Sequence, residues 1–449
     1  MPPPPLCDGF TRNCSIRDTM MESDLTLPRI QYDQHPAFSG FNVKCTLDDT
    51  IVFRLIESID NAYLDLLKVG GSNSENVSTE FAAKVGPLFA ELERYVLSAD
   101  MRDELRRTTK QAIDRACQFL VDQVVFDRRR AGTPTDPKTL PSSPAEFVED
   151  LRTRGYHQCP VNPSLAASVW RRTWWERSVL RRRAQVSPGR HCAIPLDAFS
   201  PATASIQQAL QSEGILSAVS QYMGCEMEWL YAALDFSHHR QNWYKDCYAD
   251  SALPTAKTVY MHFDADPDIV KAMLYLSNVD AAAGPFRYVR GSHQWQRSPF
   301  LFALHKGFDV EQTKLFPMET DGLDYKLGYY RPRFFLKDHR RDLLTLPSAF
   351  RGTTHFGDDI VDESALSHRL LAAEETFLGP PGTLIVFDGS AGIHRGSQVE
   401  SGERWAVQIA MRAVCSRQQS PASRIRTIKG RFRYHLSRIK NVVSRLTLV

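Results

Sequence analysis

The sequence predicts a mainly β domain, either a sandwich or a barrel, that follows a helical N-terminal region. Two observations predict this architecture. In the C-terminal half, short apolar runs bounded by turn residues have the length of β-strands, and the clearest are KAMLYLSNVD, FRYVRG, GTLIVFDG and RWAVQIAMRAV. In the N-terminal half, apolar residues from Val52 to Leu67 recur at intervals of three and four, which is the spacing of one helix face.

The N-terminal part divides into two segments. Residues 1–45 open with a proline run and lack a clear period, so we expect an irregular segment. Residues 46–130 contain three helical stretches, which start near Ile51, Thr79 and Asp100. We expect this helical region to serve as a structural or oligomerisation element.

The C-terminal part follows a proline-rich linker, at a helix start where Ser143 is the predicted N-cap. Residues 143–415 predict one domain with a short first helix, a glycine stop at Gly155 and the strands above. The run SIQQALQSEGILSAVSQYMG predicts a helix pair packed outside the strands. Residues 299–374 show weak periodicity and many aromatic and basic side chains, so we expect a long insert that acts as a lid or is partly ordered.

Composition excludes several classes of protein. The chain has 449 residues, of which 43% are hydrophobic and 24% charged, as in globular proteins. Its net charge of +3 gives no case for nucleic acid as the main partner. No apolar run is long enough to suggest a membrane span or a secretory signal. Nine scattered cysteines without a CxxC pair indicate reduced thiols, so we expect a cytoplasmic protein.

The stretch YMHFDAD carries the first candidate site residues. If it forms a strand, His262, Asp264 and Asp266 share one face, with neighbouring Cα atoms about 6.7 Å apart. Residues four apart are about 13 Å from each other, too far to chelate one ion without a bend. His262 and Asp264 are therefore the candidate pair. The alternative is a polar face at a strand end, because HxD alone is a weak motif.

A second segment, downstream, could complete a metal site. After the apolar run GTLIVFDG come His394 and, ten residues later, Arg404 at the start of another strand. Two histidines and one carboxylate form the facial triad that suits non-haem Fe(II), with positions open for O₂ and a chelating co-substrate such as 2-oxoglutarate. Arg404 could bind the far carboxylate of that co-substrate bidentately, or form an ordinary ion pair at a strand edge.

These segments together, HFDAD, NVDAAAGPFRYVRGSH and PPGTLIVFDGSAGIHRGSQVESGERWAVQIAMR, resemble the phytanoyl-CoA dioxygenase (PhyH) family of Fe(II)/2-oxoglutarate oxygenases. The resemblance covers residues 143–415. It implies a double-stranded β-helix, or jelly-roll, fold with flanking helices. It also implies that His262, Asp264 and His394 are the catalytic iron ligands and that Arg404 binds 2-oxoglutarate.

The sequence departs from the family pattern at two points. Ser397 lies near the position of a serine that helps to hold the co-substrate in the family, but one residue farther from the distal histidine. The separation between Asp264 and His394 exceeds that in compact members, and the excess falls in the insert, so the resemblance does not predict the substrate. Related halogenases carry a small residue where Asp264 stands, so the carboxylate predicts hydroxylation or a related oxidation.

The other histidines are weaker candidates. The resemblance makes His293 a loop residue near the site. His238 and His239 could face the pocket, but we expect them to lie on a polar, solvent-exposed loop. His355 and His368 belong to the insert, and nothing in the sequence places either near the metal.

Two basic tracts could bind other partners. RRTWWERSVLRRRAQ could bind phosphate groups, although a solvated helix face is the stronger interpretation. Residues 416–449 form a basic tail whose apolar residues, from position 424, repeat at three and four. The tail predicts an amphipathic helix, either on an anionic membrane surface or docked on the protein.

The sequence thus predicts a dioxygenase that uses Fe(II), 2-oxoglutarate and O₂. Its substrate would be a small organic, lipid-like or natural-product molecule, and succinate and CO₂ would be released. The alternative is a non-catalytic barrel of the same fold that acts as a binding or scaffold protein. The oligomeric state is not predicted.

Overall fold

A computed structural model describes residues 35–68, 77–132, 145–186, 192–240, 256–264, 266–315 and 337–416. This part of the chain contains twelve α-helices and nine β-strands. The helices are α1 Asp49–Lys68, α2 Val77–Lys84, α3 Gly86–Val96, α4 Asp103–Gly132, α5 Ala145–Thr153, α6 Pro163–Arg172, α7 Trp174–Val186, α8 Pro201–Ser212, α9 Ile215–Met223, α10 Pro299–Leu315, α11 Lys337–Leu343 and α12 Ala365–Ala372. The strands are β1 Tyr156–Cys159, β2 Cys192–Pro195, β3 Met227–His238, β4 Ile269–Tyr275, β5 Phe286–Val289, β6 Glu374–Phe377, β7 Leu384–Phe387, β8 His394–Gly396 and β9 Glu403–Ala413.

The N-terminal helices form where the apolar periodicity predicts them. The carboxylate of Asp48 accepts a hydrogen bond from the backbone N–H of Thr50 at 2.8 Å, which satisfies one free donor at the start of α1. The second predicted stretch is two helices, because the chain turns at Val85 and α3 restarts at Gly86. The third extends beyond the predicted end, as α4 continues to Gly132.

These four helices share one apolar core with the insert. Phe300 of α10 is fully buried, and its ring meets Phe89 of α3 edge to face at a centroid distance of 5.3 Å. The same cluster includes Leu343 and Phe350, farther along the insert. We call the unit formed by α1–α4, α10, α11 and the segment to Phe350 the helical module.

The nine strands form two antiparallel sheets, which we call the sheet pair. The six-stranded sheet has the order β1-β7-β4-β9-β3-β2, and the three-stranded sheet has the order β6-β5-β8. Strands that follow each other in the sequence are rarely neighbours in a sheet. The strand register therefore depends on contacts between distant parts of the chain.

Side-chain alternation gives the larger sheet two different faces. One face packs under α5–α9 through residues such as Leu234, Leu274 and Val407. The opposite face meets the smaller sheet through an aromatic cluster that includes Tyr275, Phe286 and Phe387. Polar side chains of the candidate site lie at the edge of this second interior.

The prediction of a mainly β domain was too narrow. Helices α5–α9 cover one face of the six-stranded sheet, and the predicted insert supplies three more helices in the described residues. The predicted N-cap Ser143, residues 316–336 of the insert and the basic tail from residue 417 lie outside the described residues. Among the helices that the structure describes, none combines the length and the apolar composition that a membrane span needs.

Candidate metal centre

The HxD segment is extended without forming a regular strand, which corrects the expectation of a strand over TVYMHFDAD. Residues 257–260 form a turn that ends at Tyr260, whose φ of 67° is rare for a residue with a side chain. The backbone N–H of His262 then donates to the carbonyl of His394, and the reverse bond forms as well, both at 3.1 Å. This isolated antiparallel bridge places the two histidines side by side on one face.

The loop before β8 is built to bring His394 to this bridge. The carboxylate of Asp388 accepts hydrogen bonds from the backbone N–H groups of Ser390 and Ala391, at 3.1 and 2.9 Å. The carbonyl of Gly389 in turn accepts the N–H of Asp264 at 2.7 Å. One tight loop therefore positions the distal histidine and fixes the backbone of Asp264.

His262, Asp264 and His394 converge. One ligand atom from each lies within 4.8 Å of the other two. In the described ranges, no other group of three or more histidine, cysteine or acidic side chains converges in this way. The imidazole centroids of His262 and His394 are 4.3 Å apart, and Nε2 of His394 lies 3.5 Å from Oδ2 of Asp264. Two imidazoles and one carboxylate at this spacing suit a divalent transition metal that keeps open positions.

Each histidine is oriented by its own backbone. Nδ1 of His262 donates to the carbonyl of Tyr260 at 2.8 Å, and Nδ1 of His394 donates to the carbonyl of Gly392 at 3.2 Å. A carbonyl can only accept, so both Nδ1 atoms carry a proton, and in the neutral form of each ring Nε2 keeps a lone pair. Outer bonds of this kind fix the tautomer and the ring direction of metal-binding histidines.

Asp264 uses its two carboxylate oxygens differently. Oδ1 accepts from the ammonium group of Lys271 on β4 at 2.6 Å. Oδ2 is buried and accepts no hydrogen bond, although it faces the two imidazoles. A Cβ atom at position 389 would collide with this oxygen, so the glycine there keeps the space open. A buried acceptor without a hydrogen bond, next to two imidazole lone pairs, fits a bound cation.

The titration behaviour of the site agrees with this arrangement. Burial raises the pKa of Asp264, but the ammonium of Lys271 and the ring of His394 outweigh it, so the pKa lies below its usual value. Burial lowers the pKa of His394 despite the opposing carboxylate of Asp264. An ionised carboxylate and a neutral imidazole are the forms that bind a metal.

Aromatic rings close the site around His394. The rings of Phe387 and Phe286 lie 5.1 and 5.9 Å from the imidazole of His394, between centroids. Both phenylalanines are at most 2% exposed. Apolar walls of this kind exclude water and strengthen the electrostatic interactions inside the site.

Arg404 lies inside the sheet pair at the start of β9, opposite Ser237 of β3. Its guanidinium donates to the Ser237 hydroxyl at 3.0 Å and to the carbonyl of Gly284, while its Nε is buried without a hydrogen bond. The hydroxyl of Ser397 is also buried without a partner. A buried guanidinium with an unused donor suits an anionic ligand.

The charge of Arg404 affects the phenol of Tyr260, two residues before His262. Burial raises the pKa of Tyr260, Asp235 and Asp264 raise it further, and the charges of Lys271 and Arg404 oppose them. The phenol of Tyr260 therefore lies within the influence of both interior cations and of the candidate ligand Asp264.

Asp266, His293 and His368 do not belong to the converging group. Asp266 has a side chain that is 59% exposed and lies 3.7 Å from Lys306, outside the converging group, as the strand spacing predicts. Nε2 of His293 donates to the carbonyl of Arg152 at 2.8 Å. His368 pairs with Glu363 on the surface.

The expectation of a solvent-exposed loop was wrong for His238, although His239 is exposed. His238 is buried at the end of β3, where its ring stacks on Phe236, so it is not a solvent-exposed loop residue. The structure also places His355 directly beside His262, with ring centroids 4.9 Å apart and an interplanar angle of 3°. The sequence contained no signal for the contact between His355 and His262. Two strands, two helices and residues 316–336 lie between His355 and the HxD segment along the chain.

The sequence did contain a signal for Lys271. It is the one charged residue in the apolar run IVKAMLYL, and a charge within a buried strand requires a partner. The basic tract on α6 and α7 has structural roles, which favours the interpretation as a helix face. Arg177 stacks on Trp170 with its guanidinium carbon 3.5 Å from the ring centroid, and Arg181 pairs with Glu403.

Comparison with solved structures finds partial likenesses. The chain is 16% identical to HygX from Streptomyces hygroscopicus, solved with nickel and 2-oxoglutarate bound, over 61% of this chain and 88% of that one, with a TM-score of 0.33. It is 14% identical to EctD from S. alaskensis, solved with 2-oxoglutarate and 5-hydroxyectoine, over 64% and 81%, with a TM-score of 0.35. SnoK, a non-heme α-ketoglutarate-dependent carbocyclase from nogalamycin biosynthesis, is 15% identical over 63% and 87%, with a TM-score of 0.31.

No protein-family model matches the chain. No curated protein matches it either. The functional argument below therefore depends on the side chains of the site.

Proposed function

We propose that this protein is a non-haem Fe(II)- and 2-oxoglutarate-dependent dioxygenase that hydroxylates, or otherwise oxidises, an unactivated C–H bond. The observation that carries the proposal is the convergence of His262, Asp264 and His394 around the unbonded Oδ2 of Asp264. With Fe(II) bound there, O₂ and 2-oxoglutarate would supply the oxidation, and succinate and CO₂ would be released.

Each of these side chains has a defined task in this proposal. His262 and His394 would offer Nε2 to the metal, since their Nδ1 atoms are bonded to carbonyls. Lys271 would hold Oδ1 of Asp264, which leaves Oδ2 as a single ligand atom. Phe286 and Phe387 would keep water away from His394.

The interior cations support a dicarboxylate co-substrate. Arg404 would bind the far carboxylate of 2-oxoglutarate through its planar fork, with Ser237 and Ser397 as neighbouring hydroxyl groups. Ser397 is the less direct of the two, because it has no hydrogen bond to Arg404 in the structure. We further infer a double-stranded β-helix of the PhyH type, on the sequence resemblance and the two antiparallel sheets.

The substrate class and cellular context are proposed more broadly. The proposed substrate is a small organic, lipid-like or natural-product molecule, and the carboxylate of Asp264 favours oxygen transfer over halogenation. A cytoplasmic location and contact between residues 424–449 and membranes are predictions from the sequence. Comparing liposome binding by the full chain with binding by a chain that ends at residue 423 tests the second of these.

Anaerobic reconstitution with Fe(II), followed by 2-oxoglutarate, tests the proposed function. We expect a weak visible charge-transfer band that appears when 2-oxoglutarate is added. Arg404→Met should still bind Fe(II) but should need far more 2-oxoglutarate to develop the band, and Arg404→Lys should give an intermediate result because it keeps the charge without the fork.

The control for this experiment is Asp266→Asn, which should behave as the wild-type protein because Asp266 is exposed and outside the site. Binding of neither Fe(II) nor 2-oxoglutarate by the wild-type protein would contradict the proposal. That result would favour the non-catalytic binding protein instead.

A further inference from the structure

The segment around His355 lies along the HxD segment, on the side away from His394. The N–H of Phe263 donates to the carbonyl of Thr354, and the N–H of Phe356 donates to the carbonyl of Met261, both at 3.1 Å. His262 is thereby bridged to His355 on one side and to His394 on the other. Three extended pieces of chain, distant in sequence, meet at the first candidate ligand.

This pairing determines where the side chain of His355 lies. Residues that face each other across an antiparallel bridge place their side chains on the same face. The ring of His355 accordingly lies parallel to that of His262, with an interplanar angle of 3°, and its side chain is 14% exposed. The imidazole of His262 is therefore held between two other imidazoles.

A buried carboxylate of the helical module holds His355 in place. Asp309 of α10 is 1% exposed and accepts hydrogen bonds from the hydroxyls of Thr353 and Thr354, at 2.5 and 2.6 Å, and from the N–H of Thr354 at 2.9 Å. The hydroxyl of Thr354 donates its hydrogen bond to Asp309. It can therefore accept Nδ1–H of His355, which lies 3.1 Å away. The chain of contacts runs from α10 through Thr354 to the ring beside His262.

We propose that His355 is a positioning residue of the candidate metal centre, which the helical module places through Asp309 and Thr354. The bond from Nδ1 of His262 to Tyr260 fixes one edge of the ligand ring, and the stacked ring of His355 fixes its plane. Together they determine the direction in which Nε2 of His262 points. The inference rests on the proposed function, because it assigns to His262 the role of a metal ligand.

Cobalt(II) binding to the full chain tests this role without catalysis. Calorimetry gives the dissociation constant, and the visible ligand-field bands of the bound ion report its coordination geometry. We expect His355→Ala to weaken Co(II) binding about tenfold, the lower end of the effect of outer-shell partners, and to shift these bands. His355→Phe keeps a flat ring and should recover most of the affinity.

A second variant distinguishes the proposed role of His355 from a general loss of structure. Thr354→Val keeps the shape of the side chain and the N–H bond to Asp309, but it removes the hydroxyl between Asp309 and His355. We expect a smaller loss of affinity with a band shift in the same direction. His368→Ala is the matched control, because His368 is 65% exposed and pairs with Glu363 on the surface.

The outcomes separate the two proposals. If the wild-type protein binds Co(II) and both His355→Ala and Thr354→Val reproduce its affinity and bands, the role of His355 is refuted and the proposed function stands. If the wild-type protein binds no divalent metal, both proposals are refuted. Weakened binding with shifted bands in His355→Ala, unlike in His368→Ala, supports the inference.

Discussion

The sheet pair and the helical module hold the candidate site in different ways. The sheet pair supplies the interior charges Lys271 and Arg404 and the candidate ligand His394, each on a strand or at its start. None of the three candidate ligands lies on a helix of the module, which contacts the site through Tyr260, a residue of its core, and through Asp309. The comparison indicates that the strands carry the interior cations, whereas the helical module holds the segments around the site in place.

The largest effect should follow from the ligand carboxylate itself. Replacing Asp264 with Ala removes the acceptor that faces both imidazoles, and we expect metal affinity to fall by more than about 100-fold, since loss of outer partners already costs about 10–100-fold. Succinate formation should stop while the far-UV circular dichroism stays unchanged. Turnover retained in this variant would refute the assignment of Asp264, and Asp266→Ala is the control.

A core substitution in the module tests whether the two regions depend on each other. Phe300→Ala removes a fully buried ring and should lower the free energy of unfolding by about 3–5 kcal/mol. Because the module core includes Tyr260, we expect metal release and loss of helix to occur at the same, lowered urea concentration. Metal release at the wild-type urea concentration would show that the sheet pair holds the site alone. Phe199→Ala, at a side chain that is 68% exposed, should change little.

Removing the interior lysine tests the charge balance within the sheet pair. Lys271→Met leaves the carboxylate of Asp264 without its cation, so we expect the metal-free protein to lose about 3 kcal/mol of stability. Added Co(II) should restore part of this loss and therefore raise the melting temperature more than in the wild-type protein. Equal melting temperatures of the two metal-free proteins would contradict this account. Lys257→Met, in an exposed ion pair, should cost less than about 1 kcal/mol.

The module should also show a pH dependence of its own. Asp60 of α1 accepts the N–H of Phe300 at 2.8 Å, and its burial raises its pKa to about 6 against hydrogen bonds that lower it. The folded state then binds this proton more tightly than the unfolded state. The stabilisation is therefore complete below pH 4 and is lost as the pH rises through 6.

Asp60→Asn measures this contribution. The substitution should remove the pH dependence between 4 and 6, which we expect to amount to about 1–2 kcal/mol for a partly buried carboxyl. Urea unfolding of both proteins at pH 4, 5, 6 and 7 checks it. A difference in stability between the two proteins that stays constant over this range would exclude Asp60 as the titrating group.

Much of the sheet pair was predictable, and the reasons are local. Apolar runs bounded by turn residues gave β4, β5, β7 and β9, and the HxD spacing separated Asp264 from Asp266. The strand geometry assumed for that spacing was wrong, because Tyr260 turns the chain and two isolated bridges, from His262 to His355 and to His394, replace a strand. The candidate ligands His262 and Asp264 nevertheless share a face, since the backbone is extended between them.

The parts that were not predictable depend on contacts between distant segments. The union of the N-terminal helices with α10 and α11 buries apolar faces that either segment alone presents only as an amphipathic pattern. The position of His355 follows from backbone pairing between two irregular segments, for which no sequence period exists. Residue types therefore indicated the candidate ligands, and long-range packing determined what surrounds them.

The most direct test of the central claim is a crystal structure of the protein grown anaerobically with Fe(II), with diffraction measured on both sides of the iron absorption edge. The account predicts one anomalous peak within bonding distance, about 2.0–2.2 Å, of Nε2 of His262, Nε2 of His394 and Oδ2 of Asp264. A peak elsewhere, or no peak beside these three atoms in crystals that contain iron, would contradict it.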